Sequence, residues 1–194
     1  DVKSGTTRNV VKPFLDRSGR SYQLAFCPER TLEGRALVEL HELPQVIGAD
    51  DPETSWRCQQ LFGQMTPTTV VVSSLETAEL VKLADNTSRD LAFAFSNEIA
   101  KLCGKAGISA LEVIRAGTLG YPRTSLKLPG PVGGPCLEKD PHILVESAKQ
   151  WGVDMPITLA GRLTNERQPA DIAAYVKHWA ARLQGFSRAP RVSL

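Results

Sequence analysis

The spacing of apolar residues along the chain changes character near position 74. Before it, Val10, Val11, Phe14 and Leu15 share one helical face, which predicts a helix over about residues 7–17. Thr6 or Thr7 is placed to cap it, and Ser18-Gly19 to end it. Tyr22 to Phe26 reads as a short strand, and residues 45–49 (QVIGA) and 69–73 (TVVVS) as two more. A helix over about 52–64 separates the last two. This alternation predicts an α/β arrangement up to Ser73.

From Ser74 the pattern is helical. Ser73 or Ser74 ahead of Glu76 or Glu79 has capping-box spacing. No proline or glycine then occurs before Gly104, and Ala78, Val81, Leu83, Ala84, Leu91, Ala94, Phe95, Ile99 and Leu102 keep helical spacing. One helix of about 30 residues, roughly 45 Å long, is predicted, ended by Gly104 and Gly107. Its length suits a scaffold or a subunit interface. Ser109 caps a short helix over about 109–117. Helices over about 141–151 and 156–184 follow, the second broken or kinked near Gln168 by Pro169.

Composition narrows the classes. The 194 residues suit one ordinary domain, or one domain and part of another. With 23 basic and 21 acidic residues, no charge excess points to nucleic acid or to a membrane surface. No apolar run reaches the roughly 20 residues of a spanning helix. Cys27, Cys58, Cys103 and Cys136 are widely spaced, which argues against a zinc site or a disulfide scaffold and for reduced thiols in a cytoplasmic setting. The chain opens at Asp1 without an initiator Met, and Pro190 to Leu194 reads as the start of a strand. Both ends are expected to be cuts within a longer polypeptide.

Chemistry concentrates in the stretch Leu128–Pro141, LPGPVGGPCLEKDP. Gly130, Gly133 and Gly134 permit close backbone approach, and Pro129, Pro131 and Pro135 remove amide donors. The result is a stiff loop presenting Cys136, with Asp140-Pro141 read as the cap and first turn of the next helix. A cysteine at a helix start is favoured as thiolate; a tight turn around a buried cysteine is the competing reading. Three polar groups stand beside it. Glu29 and Glu33 flank Arg30 after the Tyr22–Phe26 strand. Glu79, Lys82, Asn86, Arg89 and Asn97 lie in an otherwise apolar helix, Lys82 and Asn86 one turn apart on one face. Lys139-Asp140 follows the cysteine. As ordinary surface residues any of these would be unremarked; a buried polar stripe, however, needs partners. His41, His142 and His178 have neither metal-ligand nor triad spacing.

Taken together, four segments resemble the UDP-glucose/GDP-mannose dehydrogenase family, the nucleotide-sugar 6-dehydrogenases. They are CPER-x-x-x-G at Cys27–Gly34, AE-x-x-KL-x-x-N-x-x-RD at Ala78–Asp90 with Asn97-Glu98, PGPVGGPC-x-x-KDP at Pro129–Pro141, and SGTT at Ser4–Thr7. They stand in family order, and the CPER form is similar to the bacterial N-acetylhexosamine-type members. The resemblance implies an α/β tail of a Rossmann-like NAD-binding domain over residues 1–73. It implies an all-α central dimerisation domain over 74–188, like the C-terminal domain of 6-phosphogluconate dehydrogenase, and the start of a C-terminal nucleotide-binding domain at 189–194. It implies a homodimer through the long helix and oxidation of a UDP-sugar C6 alcohol to a carboxylate with NAD⁺.

In that scheme Cys136 is the nucleophile that forms a thiohemiacetal and then a thioester. Lys82 and Asn86 stabilise oxyanions, Asp140 acts with Lys82 on a water, and Glu29 assists thioester hydrolysis. Glu33, Arg123 (reaching a neighbouring subunit), Gly133 and Gly134 contact the substrate, and Lys139 the cofactor. The chain departs from the family pattern where one loop glycine is absent, where Pro135 replaces a histidine, and where Asp1 replaces a threonine. It has no G-x-G-x-x-G, so the isolated chain is expected not to turn over. A helical dimerisation module without chemistry is the alternative.

Overall fold

The structure, a computed structural model, describes residues 1–183. The expected strand start at 190–194 lies outside them. Two compact units divide the chain: Asp1–Arg89 with Pro135–Leu159, and Asp90–Gly134 with Ala160 onward.

The first unit holds a three-stranded sheet in the order β1 (Ala25–Phe26), β2 (Gln45–Ala49), β3 (Thr69–Val72). β1 runs antiparallel to β2, and β2 parallel to β3. A parallel pair needs a crossover, supplied here by the helix Pro52–Phe62. That helix starts as its sequence dictates: Pro52 opens it, and the Asp51 carboxylate accepts from the Thr54 amide at 2.8 Å. Val46, Ile47 and Ala49 of β2 are buried, as fits a strand with neighbours on both sides. Gly48 is required by close approach. A Cβ there would sit 2.4 Å from the Ser74 carbonyl oxygen and 2.6 Å from the Ala78 Cβ. β2 thus lies directly against the start of the long helix, Leu75–Ala106. Ser74 caps that start, its hydroxyl accepting from the Thr77 amide at 3.1 Å.

Several expectations are adjusted. The first strand is only Ala25–Phe26. A helix over Ala36–Glu42, unread in the sequence, exposes Leu37 and Val38. Gly104 does not stop the long helix, which continues to Ala106 before Gly107 adopts φ +71°. The first helical stretch is a π turn, Thr7–Val11, running into Lys12–Asp16, and Thr6 makes no side-chain cap. Asp140 is likewise no cap. It is the first residue of the helix Asp140–Ala148, after Lys139, and its carboxylate is taken up by Asn86 and Lys139, as described below. Of the break or kink expected at Pro169, the structure has the break: one helix ends at Glu166, and Gln168–Ala180 begins with the proline in its first turn.

In the second unit, the latter part of the long helix lies with Ala110–Thr118, the end of Pro156–Glu166, and Gln168–Ala180. Ser109 caps Ala110–Thr118 through the Glu112 amide at 3.3 Å. Its buried apolar residues are Ala94, Cys103 and Ile114, and beside them Asp90, Ser96, Asn97, Arg162 and Asn165 are buried too. A polar core of this kind needs its groups to pair; Asn97 bonds Asn165, Asn165 and Arg162 bond Asp90, and Ser96 bonds Lys127.

Candidate active site

The long helix presents Glu79, Lys82 and Asn86 at offsets of three and four, one above the other on one face. Glu79 is 1% exposed, Lys82 7% and Asn86 6%. Each buried head has a partner elsewhere in the first unit. The Glu79 carboxylate accepts from the amides of Gly5 at 2.5 Å and Thr7 at 2.8 Å, and so does the work that no threonine cap performs. The Lys82 ammonium donates to the Glu29 carbonyl and stands 3.8 Å from the Glu29 carboxylate. The Asn86 amide donates to Asp140 Oδ2 at 2.6 Å.

Asp140 is fully buried. Its second oxygen accepts from Lys139 at 2.5 Å, and Lys139 also reaches the Asp1 carboxylate at 3.4 Å. Burial of a carboxylate is tolerable because both oxygens take charge-assisted or amide bonds. Lys82 therefore turns to Glu29, whereas Asp140 turns to Asn86 and Lys139.

Glu29 is held differently. Its side chain is 66% exposed, and it follows β1 in a loop pinned on both flanks. Gln45 donates to the Pro28 carbonyl at 3.0 Å, and Arg30 bonds Asp85 at 3.1 Å and the Pro44 carbonyl at 2.9 Å. Partial burial works against the Glu29 charge, but bonds from Thr31 and the Lys82 ammonium outweigh it, leaving its pKa below the ordinary carboxylate value. Arg8 is the other fixed point: its guanidinium bridges Asp50 at 2.6 Å and Glu76 at 2.5 Å.

Cys136 is half-buried in the short turn Gly134–Leu137, and its carbonyl accepts from the Lys139 amide at 3.3 Å. Gly134 adopts φ +86°, and neither it nor Gly133 would crowd a Cβ, so both leave open space beside the turn. The structure thus joins Lys82 with Glu29, and Asn86 with Asp140 and Lys139. Glu33 is exposed and bonds none of them. Arg123, in the second unit, stacks 4.6 Å from the Tyr121 ring centroid. Of the polar stripe read from the sequence, Arg89 is exposed while Glu79, Lys82, Asn86 and Asn97 are buried. The residues missed were Arg162 and Asn165, because their partners lie about 70 positions away.

Another thiol is set apart from this cluster. Cys27 and Cys58 line a cavity of about 350 Å³ with Gln23, Thr54 and Arg57. Burial, and then the Cys58 sulfur, push the Cys27 thiol up to about 12, so Cys27 stays protonated at neutral pH.

Comparisons with known proteins agree with one another. The family model described as "UDP-glucose/GDP-mannose dehydrogenase family, NAD binding domain" matches residues 1–66, and that family's central-domain model matches 76–167. A UDP-N-acetyl-D-mannosamine dehydrogenase from Yersinia pestis is 36% identical over 155 residues, 79% of this chain and 36% of that protein. One from Methanocaldococcus jannaschii is 33% identical over 177 residues, 91% of this chain and 40% of that protein. Among solved structures, the UDP-D-ManNAc dehydrogenase of Pyrococcus horikoshii superposes with TM-score 0.86 at 30% identity, covering 93% of this chain and 44% of that one. The UDP-N-acetyl-mannosamine dehydrogenase of Staphylococcus aureus gives 0.77 at 28% identity, covering 94% and 43%. The chain spans well under half the length of each.

Proposed function

The chain belongs to the UDP-glucose/GDP-mannose dehydrogenase family, and on that premise we propose that it is part of an NAD-dependent nucleotide-sugar 6-dehydrogenase acting on a UDP-sugar of the N-acetylhexosamine type. Residues 1–73 would be the tail of the NAD-binding domain, 74–188 the helical central domain, and 189–194 the start of a further nucleotide-binding domain. The observation that carries the reading is the buried face of the long helix, where Lys82 and Asn86 hold polar heads beside Glu29 and Asp140.

The overall change is oxidation of a C6 alcohol to a carboxylate, with one water consumed, two hydrides removed and three protons released. The chemistry NAD⁺ would supply when bound is that of the hydride acceptor. The sequence holds no G-x-G-x-x-G to cradle the cofactor's pyrophosphate; the residues named below would serve the sugar, and Lys139 would contact the cofactor. Lys82, a buried ammonium, stabilises the alkoxide at C6 as the first hydride leaves. The Cys136 thiolate then attacks the aldehyde carbon, and the new oxyanion falls to Lys82 and the Asn86 amide. Loss of the second hydride leaves a thioester. Water adds to it, with Asp140 and Glu29 as proton acceptors, and the C–S bond breaks to free the carboxylate and the Cys136 thiol. Gly133 and Gly134 let the sugar approach the backbone, and Glu33 and Arg123 would contact substrate.

Phe95 and Leu102 support a homodimer through the long helix. They are seven residues apart on one face, 53% and 64% exposed. The test uses the full-length protein. Cys136→Ser should abolish carboxylate formation while leaving the dimer intact. Unchanged carboxylate production would refute the reading and leave a dimerisation module without chemistry.

A further inference from the structure

The loop before Cys136 is built so that it cannot hold itself. Pro129 and Pro131 have no amide hydrogen, so residues 127–132 cannot form a ladder. Yet four backbone groups in these six residues are bonded, all by side chains of two helices in the second unit. Ser96 Oγ accepts from the Lys127 amide at 3.1 Å. Asn97 takes both groups of Gly130, accepting from its amide at 2.8 Å and donating to its carbonyl at 3.0 Å. Arg162 donates to the Val132 carbonyl at 3.0 Å. Asn97 acts here as a peptide group would, docking edge to edge on a single residue.

These holders are themselves tied into a ring. The second Asn97 amide hydrogen goes to Asn165 Oδ1 at 2.9 Å. Asn165 donates to the Asp90 carboxylate at 2.9 Å, and Asp90 pairs with Arg162 at 2.7 Å. The circuit runs Gly130, Asn97, Asn165, Asp90, Arg162, Val132, and closes through two peptide bonds of the loop. Asn97 is 3% exposed, Asn165 and Arg162 1% each, and Asp90 fully buried. A buried ion pair is a poor way to gain stability, since apolar residues of equal volume serve as well or better. What apolar residues cannot do is fix the rotation of a backbone.

We propose that Asn97, backed by the Asn165–Asp90–Arg162 circuit, is a positioning residue that sets the path of residues 127–132 and hence the chain's approach to Gly133, Gly134 and Cys136. The inference rests on the proposed role of Cys136. Its effect is on the chemical steps, not on the affinity for sugar or cofactor.

The experiment measures kcat and both KM values for the full-length enzyme and its variants. Asn97→Asp keeps shape but removes both donors, to the Gly130 carbonyl and to Asn165. Ile114→Ala is the control for stability alone. Ile114 is 3% exposed in the same unit, so its truncation leaves a cavity, and its side chain belongs to neither the loop nor the circuit. At a temperature where both are folded, Asn97→Asp should lower kcat at least about tenfold with both KM values within about twofold, and Ile114→Ala should leave kcat near wild type. A kcat no lower than that of Ile114→Ala, or a loss appearing in KM, overturns the proposal. If Asn97→Asp does not fold, Ser96→Ala removes the Lys127 bond, together with the hydroxyl's own bond to the Ala92 carbonyl within the helix, and leaves the bonds to Gly130 and Val132 in place. It should then lower kcat about threefold at unchanged KM, and no fall overturns the proposal. Cys136→Ser run alongside separates the premises: activity surviving there refutes the nucleophile and this inference together, whereas an inactive Cys136→Ser with an unaffected Asn97→Asp refutes the inference alone.

Discussion

Replacing Glu79 with Gln tests how the first unit is held together. The carboxylate is 1% exposed and accepts two backbone amides, from Gly5 and Thr7, at 2.5 and 2.8 Å. A hydrogen bond to a charged group contributes about 1.5–3 kcal/mol net, and a buried donor left unpaired costs about 1–3 kcal/mol. Gln has nearly the same shape, but its oxygen can accept only at one end, and its NH₂ then faces the other amide, donor against donor. One charge-assisted bond is lost and one amide is orphaned, partly offset because a neutral group is cheaper to bury. The expected net loss is about 2–3 kcal/mol. For a chain of this size each kcal/mol moves Tm by about 2–4 °C, so a fall of about 5–10 °C is expected in thermal unfolding followed by circular dichroism. Glu33→Gln, at an exposed position, should stay within about 1–2 °C. A Glu79→Gln variant that melts with Glu33→Gln would refute the account of the carboxylate as the clamp on the Ser4–Thr7 turn.

Further outcomes follow from other contacts. Gly48→Ala should cost about 3 kcal/mol or more in urea unfolding, because the new Cβ meets a backbone carbonyl that cannot move away. Gly104→Ala, in open space within a helix, should stabilise by about 0.5–1 kcal/mol; equal effects at the two glycines would contradict the packing described. The Arg8 hydrogen bond holds the Glu76 carboxyl below its ordinary value. The folded pKa is depressed, so this stabilisation is present above the unfolded value of about 4.3 and lost as pH falls through the folded one. Arg8→Gln should therefore lower Tm at pH 7, modestly since the pair is partly exposed, and the gap should narrow as pH falls below about 4; a gap independent of pH counts against the pairing. Cys58→Ala should lower the Cys27 pKa from about 12 and speed its alkylation by iodoacetamide at pH 9, measured by peptide mass, and an unchanged rate would dissociate the two sulfurs.

What the sequence disclosed depended on whether local order carried the signal. The long helix was legible because residues 75–103 contain no proline or glycine and alternate at helical spacing. Gly104 misled as a stop, since a glycine inside a helix costs only about 1 kcal/mol against a long packed helix. The Ala36–Glu42 helix was invisible because Leu37 and Val38 face solvent, so apolar spacing said nothing about burial. Asp140 looked like a cap because Asp-Pro is a local signature, whereas one of its oxygens is taken by Asn86, 54 positions away, and the other by its neighbour Lys139. Of the candidate site, Lys82, Asn86 and Asp140 could be named from motifs. The Asn165–Asp90–Arg162 circuit could not, because nothing in a helix's own spacing announces a partner some 70 residues away.

The face that carries Glu79, Lys82 and Asn86 behaves as a ruler. Each residue of a helix advances about 1.5 Å and turns about 100°. One residue inserted or deleted between Glu79 and Asn86 would swing Asn86 off Asp140 while leaving the Gly5 and Thr7 amides on Glu79. No side-chain replacement elsewhere restores that angle. The segment can therefore vary widely in composition and hardly at all in length, and a natural variant with an altered count between these positions would have to be carrying out different chemistry or none.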